Sequence, residues 1–104
     1  MAKEIRLPTH RPPTTPGEML VAEFLEPLGM TITAFAQHIG VRRDRLSEVI
    51  HGHRRVTPDT ALRFARALGT SAQFWLNLQQ STDLYAALHS GCESEIKKIH
   101  PLCA

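Results

Sequence analysis

The 104-residue chain has little cysteine and few aromatics: two cysteines, one tryptophan, one tyrosine and four phenylalanines. Two cysteines, both near the C-terminus, do not make a disulfide framework, and such usage is expected of a chain working in the reducing cytoplasm. No run approaches the ~18 apolar residues of a membrane span. The N-terminus lacks the continuous apolar stretch of a secretory signal, so neither export nor a membrane partner is expected. Also missing are a glycine-rich phosphate loop, a His-Glu metal helix, and any Ser/His/Asp or Cys/His set on adjacent predicted elements. The six histidines are scattered over loops, helix ends and tails. His38 and His51, near helix ends, suit hydrogen bonding or the helix dipole better than acid–base catalysis. The reading is of a protein that is not an enzyme and needs no cofactor or metal.

The length fits one domain with short tails. A net charge of +2 hides a strong segregation. Between Gly17 and Val41 the charged side chains are Glu18, Glu23 and Glu26; between Arg42 and Arg66 seven arginines stand against Asp44, Glu48 and Asp59. One end of the molecule is thus expected to be positive and the other negative, as suits a surface that approaches phosphates.

The most informative stretch runs from Met30 to Gly52. Phe35, Ala36 and Ile39 give its first segment one apolar face; Leu46, Val49 and Ile50 do the same for the second. Thr31 is placed to cap the first helix, Gly40 to end it in the left-handed conformation, and Gly52 to end the second. Two short helices joined at a glycine make a helix-turn-helix. The outer face of the second helix presents Arg42, Arg43, Asp44, Arg45, Ser47, Glu48 and His51. These side-chain types grip phosphates and read base edges, and the arginines lie at the end of the helix that meets a major groove. Arg42 and Arg45 are expected on phosphates, and Arg43, Asp44 and Ser47 toward bases.

The remaining segments are read around that unit. Residues 1–16 carry Pro8, Pro12, Pro13 and Pro16 and predict an extended arm, whose Lys3, Arg6 and Arg11 suit an acidic surface or DNA. Residues 17–89 form the DNA-binding and dimerisation domain, and 90–104 a C-terminal tail. A first helix begins at Pro16-Gly17-Glu18, buries Met19, Leu20, Phe24 and Leu28, is distorted by Pro27 and closes at Gly29. Arg54 and Arg55 follow the second helix of the motif and are expected to clamp phosphates. Thr57-Pro58-Asp59 opens the next helix, with Leu62, Ala65 and Leu68 facing inward, Phe64 joining them or a neighbouring surface, and Arg63 and Arg66 on the outer side. Gly69 ends it, and Thr70 or Ser71 caps the last helix, which has a possible break near Ser81. Phe74, Trp75, Leu76, Leu78, Leu84 and Tyr85 are too much apolar surface for one small core, so a homodimer interface is expected there. His89-x-x-Cys92 and His100-x-x-Cys103 have spacing compatible with zinc, but the tight glycine-bounded knuckles are missing, and a frayed tail is the preferred reading.

The patterns Phe35-Ala36-x-x-Ile39-Gly40-Val41, Leu46-Ser47-x-x-Ile50-x-Gly52 and Ala61-Leu62-x-x-Ala65-x-Ala67-Leu68-Gly69 resemble the Cro/C1-type helix-turn-helix domain. Pro16-Gly17-Glu18-Met19-Leu20 before them, and Phe74-Trp75-Leu76-Asn77-Leu78-Gln79 and Asp83-Leu84 after them, are similar to HigA-type antitoxins of bacterial addiction modules. The resemblance covers Pro16 to Leu88, leaving the arm and the tail without a shared motif. It implies an all-α, five-helix, lambda repressor-like fold and a dimer that binds operator DNA and represses its own operon. The implied partner is a HigB-type toxin, a small ribonuclease that cleaves mRNA on the ribosome. By charge, the acidic first helix is the side for such a basic protein. Two other readings stay open: a stand-alone repressor without a toxin, and a protein-interaction module that has lost DNA binding.

Overall fold

Six helices and no strand make up residues 13–103, the part described by the structure, a computed structural model. Residues 1–12 of the arm expected over 1–16, Lys3, Arg6 and Arg11 among them, lie outside the described residues. Helix α1 spans Pro16–Leu28, α2 Ile32–Ile39, α3 Arg43–Ile50, α4 Pro58–Leu68, α5 Ala72–Leu88 and α6 Glu93–Lys97. The first five correspond to the helices expected of a Cro/C1-type domain; α6 is an additional short turn within the tail. No single helix among the described residues is long and apolar enough to cross a membrane.

Local chemistry sets most helix ends. Thr31, Thr57 and Ser71 each accept a hydrogen bond from the backbone N–H three residues on. Such caps satisfy donors that the first turn leaves without partners. Thr15 does more: its hydroxyl accepts from Glu18 N–H at 3.1 Å while the Glu18 carboxylate accepts from Thr15 N–H at 3.0 Å. Glu18 therefore belongs to a capping box and is not simply a solvated charge.

Helix α1 departs from the expected stripe. Leu20 and Leu25 are buried, whereas Leu28 is 59% exposed. The cause is a π-helical turn over Val21–Leu25, in which the Glu26 N–H reaches back five residues to the Val21 carbonyl. This wide turn lies just ahead of Pro27, which has no N–H to give and whose ring would crowd the carbonyl of Glu23. Counting from Leu20, the next buried residue falls five positions on rather than four. Gly29, at φ 66°, then stops the helix, and the chain turns by 98° into α2.

The core is assembled around one side chain. Trp75 is fully buried and lies against Phe64 at 5.0 Å between ring centroids, Phe74 at 5.1 Å and Phe24 at 5.6 Å. Phe35 extends the cluster, 5.8 Å from Phe64. All four phenylalanines and the only tryptophan of a chain with few aromatics thus meet in one place. Edge-to-face pairs of this kind add about 0.5–1.5 kcal/mol each beyond area burial. The indole N–H donates to the Thr70 hydroxyl at 2.6 Å, so the ring is buried with its polar atom satisfied. Trp75 is accordingly removed from the expected dimer interface, because its own protomer covers it completely.

Two further expectations are corrected. Leu62 is 63% exposed; the inward face of α4 is formed by Thr60, Ala61 and Phe64, with Ala67 and Leu68 packed against the core. Helix α5 runs unbroken through Ser81, where Thr82 folds its hydroxyl back onto the Leu78 carbonyl at 2.8 Å. In the tail, Cys92 and Cys103 are exposed free thiols, and His89 stacks on Tyr85 with centroids 4.1 Å apart. No group of three or more potential metal ligands occurs among the described residues.

Candidate nucleic-acid interface

The turn between α2 and α3 is held from both sides. Gly40 takes φ 76°, and the Val41 N–H closes onto the Ala36 carbonyl at 3.0 Å, which ends α2 in a Schellman-type turn. From α4, Arg63 donates to the Ile39 carbonyl at 2.8 Å, and Asp59 orients the same guanidinium at 3.0 Å. Arg63, read from sequence only as an outward charge, therefore satisfies a terminal carbonyl of α2 and ties the motif to α4.

Helix α3 is seated by its buried side chains and by α1. Leu46 and Val49 are buried, and Ile50 is half-buried. Gly17 rests directly on the end of α3, where a Cβ would stand 2.1 Å from the Ile50 carbonyl oxygen. The outer face then lies open: Arg42, Arg43, Asp44, Arg45, Glu48 and His51 are all exposed, and Ser47 is half-exposed.

Hydrogen bonding divides these residues. Arg42, the N-cap residue, pairs with Asp44 at 3.2 Å, and the other oxygen of Asp44 accepts from the Arg45 N–H at 3.0 Å. Asp44 is thus engaged with the first turn of its own helix. His51 folds back onto α3, its Nδ1 2.8 Å from the Ser47 carbonyl and 3.3 Å from the Ser47 hydroxyl. Glu48 accepts from Arg54 at 3.0 Å, joining the helix to the loop that follows. Arg43 donates its Nε–H to the Thr33 hydroxyl of α2 at 2.9 Å. Arg45 has no acidic partner among the described residues.

Arg55 sits in the same loop but is tied elsewhere. Its guanidinium grips Asp83 on α5 through two N–H groups. Asp83 in turn accepts from Gln79 at 2.9 Å, and the buried Gln79 accepts the Val56 N–H at 2.8 Å. Burial works to raise the Asp83 pKa, but the hydrogen bonds from Arg55 and Gln79 and the charge of Arg55 outweigh it, leaving the carboxyl below its ordinary value. The hydrogen bond and charge of Asp83 raise the Arg55 guanidinium in the opposite direction. Thr33, Gln79 and Asp83 were not among the site residues read from sequence. Only a hint existed for the last two, which belong to the motif after α4.

The face carries five arginines, at 42, 43, 45, 54 and 55, and three carboxylates, at 44, 48 and 83. Each carboxylate holds one arginine, so Arg43 and Arg45 carry the uncompensated charge. Among comparable proteins, residues 21–75 match the helix-turn-helix family HTH_3. Antitoxin HigA-1 of Vibrio cholerae serotype O1 is 42% identical over 94 residues, covering 90% of this chain and 88% of that protein. That alignment is longer than the stretch from Pro16 to Leu88, so the likeness extends into at least one of the two termini. In three dimensions the fold is similar to Pseudomonas aeruginosa antitoxin HigA, solved with the higBA promoter, at a TM-score of 0.81 and 33% identity, over 88% of this chain and 99% of that one. It is likewise similar to antitoxin GraA, solved in complex with its operator, at a TM-score of 0.81 and 32% identity, over 95% of this chain and 100% of that one. By helix order, by the capped glycine turn and by likeness over most of its length, the chain belongs to the Cro/C1-type helix-turn-helix family and, within it, to the HigA-type antitoxins.

Proposed function

We propose that this protein binds operator DNA as a homodimer through α2 and α3, represses its own toxin–antitoxin operon in the cytoplasm and neutralises a HigB-type mRNA-cleaving toxin. The observation that carries the reading is the second helix of the motif. Its apolar side is sealed into the core, while Arg42, Arg43 and Arg45 stand exposed at its start. A helix anchored on one side and cationic on the other is built to enter a groove lined by phosphates. Two relatives of the same fold were solved on promoter or operator DNA.

The division of labour follows from partners and exposure. Arg42, Arg45, Arg54 and Arg55 supply phosphate contacts, three of them after exchanging a carboxylate for a phosphate. Arg43 reads a base edge, with Asp44, Ser47, Glu48 and His51 shaping the surface around it. The half-buried Phe74, Leu76, Leu78 and Tyr85, with the more exposed Leu84, form the dimer contact on α5. Glu23 and Glu26, exposed on α1, mark the acidic side toward which a basic ribonuclease is drawn.

Gel shifts with the region upstream of the gene, against a scrambled duplex, test the first half. Co-expression with the adjoining reading frame, followed by co-purification, tests the second. Selective binding together with a co-purified small basic ribonuclease is the expected result. Selective binding with no captured partner leaves a stand-alone repressor, and no preference over the scrambled duplex leaves an interaction module.

A further inference from the structure

Resting on the DNA-binding reading above, we infer that Thr33 of α2 is a positioning residue that aims the Arg43 guanidinium at a base pair. Three arginines of the face are held by carboxylates: Arg42 by Asp44, Arg54 by Glu48 and Arg55 by Asp83. Arg43 is held instead by a neutral hydroxyl, its Nε–H donating to the Thr33 Oγ1 at 2.9 Å. The difference has a chemical consequence. A carboxylate cancels the charge it orients, whereas a hydroxyl orients the guanidinium and leaves its charge whole.

The choice of nitrogen matters equally. Arginine has five N–H groups in a rigid planar fork. With Nε committed to Thr33, the Nη1 and Nη2 edge remains free, and it is the end-on edge that matches the O6 and N7 acceptors of guanine in a major groove. Arg43 is the first residue of α3, at the end of a recognition helix that approaches the bases. An exposed arginine otherwise loses rotamer freedom when it is fixed; a bond already made in the free protein removes part of that loss from the binding step.

Thr33 is free to act in this way because of its position. It is the second residue of α2, directly after Ile32 and the Thr31 cap. A threonine deeper in a helix commonly turns its hydroxyl onto the carbonyl three or four residues back. Here those carbonyls precede the helix, and the hydroxyl faces α3 across the turn instead.

The test uses the full chain and a panel of operator duplexes that each change one base pair. Thr33→Val keeps the branched shape and removes the acceptor; Thr33→Ser keeps the acceptor. Thr33→Val is expected to lose discrimination at one position, the same one lost in Arg43→Ala, by roughly 5-fold or more out of the 5- to 150-fold that a bidentate base contact supplies. Thr33→Ser retains it, and the dependence of binding on salt stays unchanged in both. In the free protein, NMR of the Arg43 Nε–Hε group should report an ordered side chain in wild type and Thr33→Ser and a mobile one in Thr33→Val. A Thr33→Val protein with wild-type discrimination, or one weakened equally on every duplex, would overturn the inference. So would a mobile Arg43 Nε–Hε in the wild type. Wild-type protein that shows an ordered Arg43 but no operator preference would instead sink the DNA-binding reading on which the inference stands.

Discussion

Arg55, on the loop after α3, is bound to Asp83 on α5, with its Nε 3.0 Å from Oδ2 and a second N–H to the same oxygen. A side chain placed by sequence among the phosphate contacts is therefore already occupied by an anion of its own protein. Asp83 is itself steadied by Gln79, which also holds the backbone of the next residue, Val56. The loop after α3 and the last long helix are consequently one hydrogen-bonded unit.

Replacing Asp83 with asparagine releases Arg55 without changing the size of the site. DNA binding should tighten on operator and scrambled duplex alike, because a phosphate contact carries no sequence information. The slope of log K against log salt should steepen by about one unit, because in wild type the Asp83 carboxylate freed when Arg55 turns to a phosphate takes up a cation and offsets the one released from DNA. Adding Arg55→Ala should return the slope to its original value, and titrations between 50 and about 200 mM salt would read the change.

The same pair predicts how stability varies with acidity. The Asp83 pKa in the folded protein lies below its ordinary value of about 4. Its stabilisation is then fully present above about pH 4 and is lost as pH falls through the folded value. Thermal midpoints measured from pH 7 down to about pH 3 should fall more steeply for wild type than for Asp83→Asn. Equal slopes would mean that the pair contributes nothing to folding, as many exposed ion pairs do.

Gly17 is a packing requirement. A Cβ at this position would stand 2.1 Å from the Ile50 carbonyl oxygen and 2.7 Å from its carbon. Glycine to alanine within a helix ordinarily stabilises by about 0.5–1 kcal/mol. Here Gly17→Ala should instead destabilise by ~1–3 kcal/mol or more, as forced overpacking does, because backbone rather than a flexible side chain must move. Urea unfolding would measure it, and since α1 seats α3, DNA affinity should drop as well.

Trp75 and Leu84 separate the core from the proposed subunit contact. Trp75→Ala should cost about 3–5 kcal/mol, in line with other buried aromatic truncations. Trp75→Phe should lower stability less and leave the oligomeric state untouched, because no part of Trp75 reaches the surface. Leu84→Asp, at a position 41% exposed, should keep the fold and shift the protein toward monomer. Light scattering after gel filtration distinguishes these outcomes; a dimer that survives Leu84→Asp moves the contact away from this part of α5.

What could be read directly from the chain was whatever depends on neighbours within about four residues. Thr31, Thr57, Gly40 and Gly69 act through i to i+3 hydrogen bonds and positive φ angles, so their roles are written locally. The apolar spacing of Phe35, Ala36 and Ile39, and of Leu46 and Val49, was sufficient for the two-helix motif and its exposed arginine face. Periodicity failed where the helix itself changed pitch. The π turn shifted burial from Leu28 to Leu25, and no helical stripe written at 3.6 residues anticipates it.

Tertiary structure alone decided which partner each long side chain finds. Trp75 belongs to the core rather than to a subunit contact because Phe24 and Phe64 converge on it from two other helices, beside its own neighbour Phe74. Arg63 ties off α2, Arg55 meets Asp83, and Arg43 meets Thr33, across separations of 24, 28 and 10 residues. A chain's local rules say which residues are charged and which face they occupy. Whether a guanidinium ends on a carbonyl, a carboxylate or a hydroxyl depends on how the helices cross, and that is set only when the core closes.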